Sequence, residues 1–185
     1  MREYRYIGRD ALEGMNGFRI CLSSDLAVWY ARAIRRYQTG THQYSHAWIL
    51  MERGQAVSQN FRLARQPLSD YLNGTTRIKM WRCVNWSDKD LRAMKEFIEG
   101  RLALPWYRRR YDFLAYVGQI TRIKVINDPL AYICSEFVGS VIQAGYRCGL
   151  QRHPSPGDID EFLGNDPAWD AVCYDPERGG VMGAV

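Results

Sequence analysis

The pattern of apolar and polar residues along this chain predicts short strands separated by helices. Four runs have strand character, at 17–24, 44–51, 56–63 and 76–84. The second run, YSHAWILM, is rich in aromatic and branched residues, as is typical of a buried strand. Gly54, in the turn ERGQ that follows it, supplies the permissive backbone that a hairpin to the third run requires. The four runs together predict a small antiparallel sheet.

Helical periodicity fills the segments between these strands. Apolar residues recur on one stripe over 25–37, and again from Ser87, a predicted N-cap, to about residue 103. A third stripe, in CSEFVGSVIQAG, stops at Gly145, and DIDEFL (158–163) predicts a shorter helix. The predicted fold class is therefore α+β, with a small antiparallel sheet packed against helices.

The remaining segments have weaker patterns. PLSDYL after Pro67 predicts a short turn or helix, and the segment 105–130 is mixed and matches no single element. Glycine and proline are frequent from residue 147 onward, so we expect this tail to wrap the surface apart from its one short helix. The chain has no internal repeat or convincing linker, and we expect residues 1–185 to form one domain.

Composition and charge are those of an ordinary globular protein. Hydrophobic residues make up 46% of the chain and charged residues 24%, which argues against extended disorder. The formal net charge of +5 suits an anionic partner without requiring one. No apolar run reaches the length of a membrane span, and the N-terminus MREYRYIGRD lacks the apolar core of a signal peptide. We therefore expect a cytoplasmic protein, with release by lysis or another route left open.

Five cysteines are scattered along the chain without close pairs, so we expect reduced thiols rather than disulfides or a zinc site; they are Cys21, Cys83, Cys134, Cys148 and Cys173. Cys134 differs from the others because it immediately precedes an amphipathic helical run. The partial positive charge at a helix N-terminus lowers the pKa of a thiol and favours the nucleophilic thiolate. A helix that starts instead at Asp128 and Pro129 moves the sulfur inward and weakens this effect.

A thiol nucleophile needs a base, and the chain has three histidines, His42, His46 and His153. His46 lies in the YSHAWILM strand, from which an imidazole can reach a cysteine on a helix packed across the sheet. Taken alone, a cysteine on an apolar helix face more often packs as a small hydrophobic residue, and a strand histidine is more often structural. His42 and His46 are four residues apart, but the residues between them do not include the glutamate of a zinc-protease helix. We therefore expect no metal site.

Several stretches together resemble one family. GFRICLSS, an amphipathic helix and THQYSHAWILMERGQAVSQ are followed by YICSEFVGSVIQAGY and HPSPGDIDEFL. Their order and spacing are similar to those of the permuted NlpC-like, papain-like cysteine amidases and peptidases, which include YiiX-like proteins and the lecithin retinol acyltransferase group. The resemblance covers about residues 15–165 and not the tail at 166–185. It implies a circularly permuted papain-like fold, in which the histidine strand precedes the cysteine helix.

The resemblance also implies roles for individual residues. Cys134 corresponds to the nucleophile and His46 to the general base. The residue that orients the imidazole corresponds to Ser58, twelve positions after the histidine, where the family generally has His, Glu, Asn or Gln. Gln59 or Asn60 takes this role if the hairpin register slips by one or two residues.

The function that the resemblance implies is that of a cysteine hydrolase, an amidase or peptidase. Its thiolate would attack a peptide amide or related acyl carbonyl and form an acyl-enzyme, without a cofactor. The backbone N–H of Cys134 is the expected oxyanion donor, with Tyr132 or Tyr44 shaping the pocket. Two alternatives remain: a non-catalytic binding module on the same fold, and a thiol acyltransferase acting on lipid.

The segment WYRRRYDF (106–113) interleaves aromatic residues with Arg108, Arg109 and Arg110. Such a segment can bind a phosphate backbone, an acidic substrate or an anionic lipid surface. A solvated basic turn is the commoner explanation, and no nucleic-acid motif accompanies these arginines. The predicted partners are therefore a peptide or acyl substrate and, through the three arginines, an anionic group.

Overall fold

The computed structural model describes residues 4–28, 31, 43–110, 112, 133–146, 149–150 and 153–178. Its strands are β1 (Arg5–Tyr6), β2 (Arg19–Asp25), β3 (His46–Leu50), β4 (Gln55–Gln59), β5 (Leu63–Pro67), β6 (Thr76–Cys83) and β7 (Trp169–Tyr174). Its α-helices are α1 (Arg9–Glu13), α2 (Asp88–Leu102), α3 (Cys134–Gly145) and α4 (Pro156–Asn165). Short 3-10 helices occupy Glu52–Gly54, Leu68–Tyr71, Trp106–Arg108 and Pro176–Arg178.

The seven strands form one sheet in the order β1-β7-β6-β2-β3-β4-β5. Every pairing is antiparallel except that of β1 with β7. The structure thus confirms the prediction of an α+β fold with an antiparallel sheet packed against helices. Three of the predicted strands are observed almost as expected, at Arg19–Asp25, His46–Leu50 and Thr76–Cys83.

Two strand predictions need correction. The third run, 56–63, does supply the partner strand of β3, but that strand ends at Gln59, because the chain turns at Asn60 and the exposed Phe61 before β5 begins at Leu63. The tail does not only wrap the surface, because β7 pairs with β6 inside the sheet. Alternate β7 residues, starting with Trp169, are buried, which is the two-residue period of a strand. The glycines and prolines around this segment hid that period in the sequence.

The helix starts follow the sequence closely. Ser87 caps α2, with its hydroxyl accepting from the N–H of Asp90 at 3.2 Å while the Asp90 carboxylate accepts from the N–H of Ser87 at 3.1 Å. Helix α3 begins at Cys134, preceded by Ile133 in an extended conformation (φ −84°, ψ 165°). A start at Asp128 is therefore excluded, because the chain is not helical at Ile133.

Gly145 ends α3 as predicted, and the structure adds a second reason for a glycine there. A Cβ at this position would lie 2.4 Å from Cε of Met94 and 2.6 Å from the carbonyl oxygen of Asp90. Only a residue without a side chain lets α3 approach α2 this closely. The predicted helix over 25–37 and most of the segment 105–130 lie outside the described residues.

The sheet carries a hydrophobic cluster on each face. On one face, α2, α3 and α4 cover side chains that include Ala47 of β3. On the other face, Trp48 packs with Leu12 of α1 and with Tyr71. Successive strand residues point to opposite faces, so His46 belongs to the Trp48 side of β3 while Ala47 faces α3. At the N-terminal end of β3, His46 on one face of the sheet and Ala47 on the other are therefore consecutive residues, and Ala47 faces the start of α3.

A buried ion pair joins α4 to the sheet. Lys79 of β6 is 3% exposed, and its Nζ lies 2.8 Å from Oδ1 of Asp160. The same carboxylate accepts from Nε1 of Trp81 at 2.9 Å, and the Tyr4 ring centroid lies 3.8 Å from Nζ. These partners offset the desolvation of the two charges. The pair therefore determines how α4 docks more than it adds to net stability.

Candidate active site

Cys134 occupies the first position of α3, and its side chain is buried. The backbone N–H groups of Ala47, Ser135 and Cys134 itself lie near its sulfur and lower the pKa of the thiol. The contact with Ala47 matters most for function, because Ala47 is the residue after His46. The fold thus brings the sulfur onto the backbone of the strand that carries the candidate base.

The electrostatic state of the thiol differs from the expected one. The sequence predicts that the helix N-terminus lowers the pKa of Cys134. Burial instead raises the pKa of Cys134 to about 11, while the backbone N–H groups of Ala47 and Ser135 lower it and the nearby Glu136 carboxylate raises it. Desolvation is the largest of these effects, so the resting sulfur is protonated at neutral pH.

His46 is the first residue of β3, and its Nε2 lies 2.8 Å from Oγ of Ser58. The β3–β4 register places Ser58 directly opposite Trp48, and Ser58 is fully buried. Burial lowers the pKa of His46 to about 4, so the imidazole is neutral at pH 7. A neutral imidazole carries one proton and has one nitrogen able to accept another.

A chain of hydrogen bonds continues from Ser58. The Tyr71 hydroxyl donates to Oε1 of Gln66 at 3.2 Å, and the Ser58 and Asn60 side chains lie beside the same hydroxyl and lower its pKa. An amide oxygen only accepts, so Tyr71 donates to Gln66 and accepts from Ser58. Ser58 has then used its only hydrogen and must accept from Nε2–H of His46. The chain, which we call the serine–tyrosine relay (Ser58, Tyr71 and Gln66), leaves Nδ1 of His46 as the accepting nitrogen.

The other two candidates for orienting the imidazole lie elsewhere. Gln59 donates from Nε2 to the carbonyl oxygens of Arg109 and Arg110, at 3.1 and 2.7 Å. Asn60 donates to Oε1 of Gln66 at 3.3 Å, and so contacts the relay rather than His46. Of the three, the structure brings Ser58 to the ring.

The structure describes one of the two tyrosines predicted to shape the pocket. Tyr132 lies outside the described residues. The Tyr44 ring centroid lies 5.9 Å from Nζ of Lys79, beside the buried ion pair. Burial is the main cause that raises the pKa of Tyr44 above its ordinary value, so its hydroxyl is un-ionised.

A carboxylate that the sequence analysis overlooked supports the start of α3. Glu136 is 6% exposed, and its Oε2 accepts from the N–H of Ile133 at 3.2 Å. Its Oε1 contacts Nδ1 of His153 at 2.5 Å. The signal available was a glutamate at the third position of the helix, but the usual Ser or Thr N-cap is replaced by Ile133. Glu136 and His153 thereby hold the backbone just before the candidate nucleophile.

The arginine segment lies close to this site. Arg108 ends a 3-10 helix, and the backbone of the next two residues is tied to the sheet. Leu63 donates its N–H to the Arg109 carbonyl at 2.7 Å, and Arg62 forms an isolated antiparallel bridge with Arg110. The segment is thus a fixed turn beside β4 and β5.

Across the described residues, no three His, Cys, Asp or Glu side chains lie together as a metal site would require. His42, one of the pair considered above, falls outside them. Within the same ranges, no helix is long and apolar enough to cross a membrane. None of the four described cysteines forms a disulfide bond.

Comparison with known proteins gives a result at the level of fold. No protein-family profile matches the chain, and no curated protein sequence matches it. Among solved structures, it is similar to the metalloprotein YiiX from Escherichia coli O157:H7, with a TM-score of 0.53 and 16% identity over 93% of each chain. At this identity the similarity concerns architecture and not chemistry. The protein therefore has a YiiX-like fold.

Proposed function

We propose that this protein is a cysteine hydrolase, an amidase or peptidase, in which Cys134 is the nucleophile and His46 the general base. One observation carries the proposal: the Cys134 sulfur at the start of α3 lies near the N–H of Ala47, the residue that follows His46, and Nε2 of His46 lies 2.8 Å from Oγ of Ser58. A nucleophile, a base and an orienting group are the parts that acyl transfer through a thiol requires.

The proposed chemistry begins from a neutral pair. As the Cys134 sulfur attacks the acyl carbon, Nδ1 of His46 takes the thiol proton and the carbonyl electrons move to oxygen. Backbone N–H groups at the start of α3 are placed to stabilise that oxyanion. The C–N or C–O bond then breaks, the leaving group takes the proton from His46, and a thioester remains. Water, deprotonated by His46, hydrolyses the thioester and regenerates the thiol.

A neutral starting pair is consistent with general-base catalysis. His46, with a pKa of about 4, is unprotonated at pH 7 and so available to accept a proton. Cys134, with a pKa of about 11, has little thiolate of its own, so its reactivity depends on proton removal by the base. The order of the two elements, histidine strand before cysteine helix, supports the permuted papain-like arrangement within the YiiX-like fold.

In the proposed triad, Ser58 alone would not determine which nitrogen of His46 carries the proton. A lone serine is a neutral orienting group and either donates to or accepts from an imidazole. The Gln66 oxygen at the end of the relay removes that ambiguity, because every hydrogen in the chain must point toward it. Ser58 can therefore hold the ring in the tautomer that a base for Cys134 needs.

A non-catalytic binding module is the second candidate, and the raised pKa of Cys134 favours it. An ordinary buried thiol with this pKa has only about one part in ten thousand as thiolate at pH 7. Such a thiol would alkylate slowly whatever the state of His46. A thiol acyltransferase acting on lipid shares the first half of the proposed reaction and differs in the group that accepts the acyl chain.

Alkylation with iodoacetamide separates the first two candidates. At pH 7 we expect Cys134 to be labelled at least tenfold faster than any other cysteine, with sites assigned by peptide mass spectrometry. His46→Ala should remove this advantage, because the base is lost, while the matched control His42→Ala should retain it. Slow labelling of Cys134 that His46→Ala leaves unchanged would end the hydrolase proposal.

A further inference from the structure

We propose that this protein docks onto anionic lipid bilayers through an exposed aromatic and basic surface at one edge of the sheet. The surface, here called the aromatic patch, consists of Phe61, Trp106 and Tyr107 together with the arginines Arg62 and Arg108. The proposal goes beyond the hydrolase function and does not depend on it, because docking requires no reaction at the thiol.

Exposed aromatic side chains distinguish the aromatic patch from the rest of the described surface. Five large hydrophobic side chains are exposed in the described part of the chain, and three of them belong to the patch. Phe61 is 83% exposed, Trp106 71% and Tyr107 54%. Single exposed apolar residues are ordinary on a protein surface, whereas a group of them marks an interaction site. Side chains this exposed fill little of the core, so folding alone does not account for them.

Backbone hydrogen bonds join the two segments that carry the aromatic patch. Phe61 directly precedes Arg62, which forms an isolated antiparallel bridge with Arg110. Residues bridged in this way have Cα atoms about 5 Å apart. Trp106 lies one 3-10 turn before Arg109, whose N–H donates to the carbonyl oxygen of Trp106 at 3.1 Å. The two segments are therefore neighbours at the β5 edge of the sheet.

The same segments are fixed before any partner binds. The Gln59 side chain donates to the carbonyl oxygens of Arg109 and Arg110, at 3.1 and 2.7 Å. The N–H of Leu63 donates to the carbonyl oxygen of Arg109 at 2.7 Å. A fixed backbone loses less conformational entropy on binding than a flexible loop does. Little of the free energy gained by burying the aromatic rings in lipid is therefore spent on ordering the chain.

The charges of the aromatic patch suit an anionic surface. Arg62 and Arg108 are exposed, and neither of the segments 60–63 and 103–110 contains an acidic residue. Glu99 of α2 is exposed, but it is ion-paired with Arg65 of β5. Asp112, just beyond the second segment, is buried. Arginine near an anionic membrane is attracted to the lipid phosphates, so the basic and aromatic residues act in the same direction.

A bilayer fits the aromatic patch better than a single-stranded nucleic acid does. Tryptophan and tyrosine favour the interface between lipid headgroups and acyl chains, and arginine can bury its stem there while its charge stays in water. A nucleic acid requires ring faces on which successive bases stack. The rings of Trp106 and Tyr107 are instead edge to face, with 87° between their planes and 6.1 Å between their centroids.

Co-sedimentation of the full chain with lipid vesicles tests the aromatic residues. Wild type should bind vesicles of equimolar phosphatidylglycerol and phosphatidylcholine, and added salt should weaken that binding. Phe61→Ser/Trp106→Ser should lower the partition coefficient about tenfold or more, because two aromatic side chains no longer leave water. The control Tyr6→Ser/Val84→Ser removes two other exposed apolar side chains and should bind as wild type does.

The basic residues are tested with the same vesicles. Arg62→Gln/Arg108→Gln should lower the partition coefficient about 25-fold, because each arginine near an anionic membrane contributes about fivefold. Its binding to phosphatidylcholine alone should match that of wild type. The control Arg5→Gln/Arg92→Gln removes the same charge from β1, at the opposite edge of the sheet, and from the N-terminal half of α2, and should leave binding unchanged.

Brominated lipids show whether the aromatic patch itself enters the bilayer. Vesicles that contain them should quench part of the tryptophan fluorescence of wild type. Trp106→Phe keeps an aromatic ring, so it should remain bound and lose much of this quenching. The control Trp86→Phe, in a tryptophan that packs against Trp169, should retain it.

Three results would overturn the proposal. They are the absence of wild-type binding to anionic vesicles, equal losses in the patch and control variants, and quenching that Trp106→Phe leaves unchanged. Binding of a single-stranded oligonucleotide that the patch variants abolish, with vesicle binding that they leave intact, would assign the patch to nucleic acid and also refute docking on lipid.

Discussion

Removing the Tyr71 hydroxyl should reverse the preferred tautomer of His46. In the wild type, Tyr71 donates to Gln66 at 3.2 Å, so its oxygen can only accept from the neighbouring Ser58 hydroxyl. In Tyr71→Phe the buried Ser58 hydroxyl loses that acceptor, while Nε2 of His46 remains 2.8 Å away. Ser58 then donates to Nε2, and the ring proton must move to Nδ1, where it blocks the base.

The size of the effect follows from one buried hydrogen bond. A buried hydroxyl left without a partner costs about 1–3 kcal/mol, and about 1.4 kcal/mol is a factor of ten in population. We therefore expect the productive tautomer of His46 to fall to about one molecule in ten in Tyr71→Phe. The rate of Cys134 alkylation at pH 7 should fall about tenfold with it.

Two measurements examine this prediction directly. Labelling with iodoacetamide gives the rate at Cys134, and ¹⁵N spectra of the imidazole show which nitrogen of His46 carries the proton. Tyr174→Phe is the matched control, because Tyr174 is a buried tyrosine in the same hydrophobic cluster. Thermal unfolding of both variants checks that they remain folded.

A double-mutant cycle tests whether Tyr71 acts on His46 through Ser58. In a Ser58→Ala background, Tyr71→Phe should have no further effect on the Cys134 rate, because the relay is already broken. Equal losses in Tyr71→Phe and Tyr174→Phe, or a His46 ring that keeps its proton on Nε2 in Tyr71→Phe, would show that the relay does not control the tautomer.

Three further results are expected. The ultraviolet absorbance of thiolate, taken as wild type minus Cys134→Ala, should be absent at pH 7 and appear only toward pH 11, because burial raises the pKa of Cys134 to about 11; a thiolate signal at pH 7 would contradict the neutral pair. Asp160→Asn should lower the free energy of unfolding by about 3–5 kcal/mol in denaturant titrations, because Lys79, 3% exposed, loses its counter-charge; a loss below 1 kcal/mol would mean that Lys79 escapes to solvent. Gly145→Ala should lower the free energy of unfolding by about 1–3 kcal/mol, since its Cβ would clash with Met94; an unchanged midpoint would show that α3 can shift away.

Two buried polar pairs of this protein, Lys79 with Asp160 and Cys134 with His46, differ in their surroundings. Nζ of Lys79 lies 2.8 Å from Oδ1 and 3.0 Å from Oδ2 of Asp160, and the aromatic rings around Lys79 add further contacts. Cys134 and His46 are both neutral at pH 7, because desolvation is the main cause that raises the pKa of Cys134 to about 11 and lowers the pKa of His46 to about 4. In the proposed reaction, the proton therefore moves from Cys134 to His46 during the attack and not before it.

Local pattern was enough to predict several elements. The aromatic and branched residues of YSHAWILM and the strand character of TRIKMWRCV predicted β3 and β6, and Ser87 marked the start of α2. These features depend on residues close together in the chain, whose periodicity and capping are set by local backbone geometry. The same reasoning failed at the C-terminal end of 56–63, where a turn lies within one apolar run, and at β7, whose partner β6 is far away along the chain.

The sequence by itself determined the fold class and the strand that holds His46, but it left the start of α3 open between Cys134 and Asp128. Only the tertiary structure decided that Ser58 meets the ring, that Tyr71 and Gln66 extend the hydrogen bonds, and that the thiol pKa is raised and not lowered. The physical reason is that strand register, burial and the solvation of a charge depend on groups that lie far apart along the chain and meet only after folding.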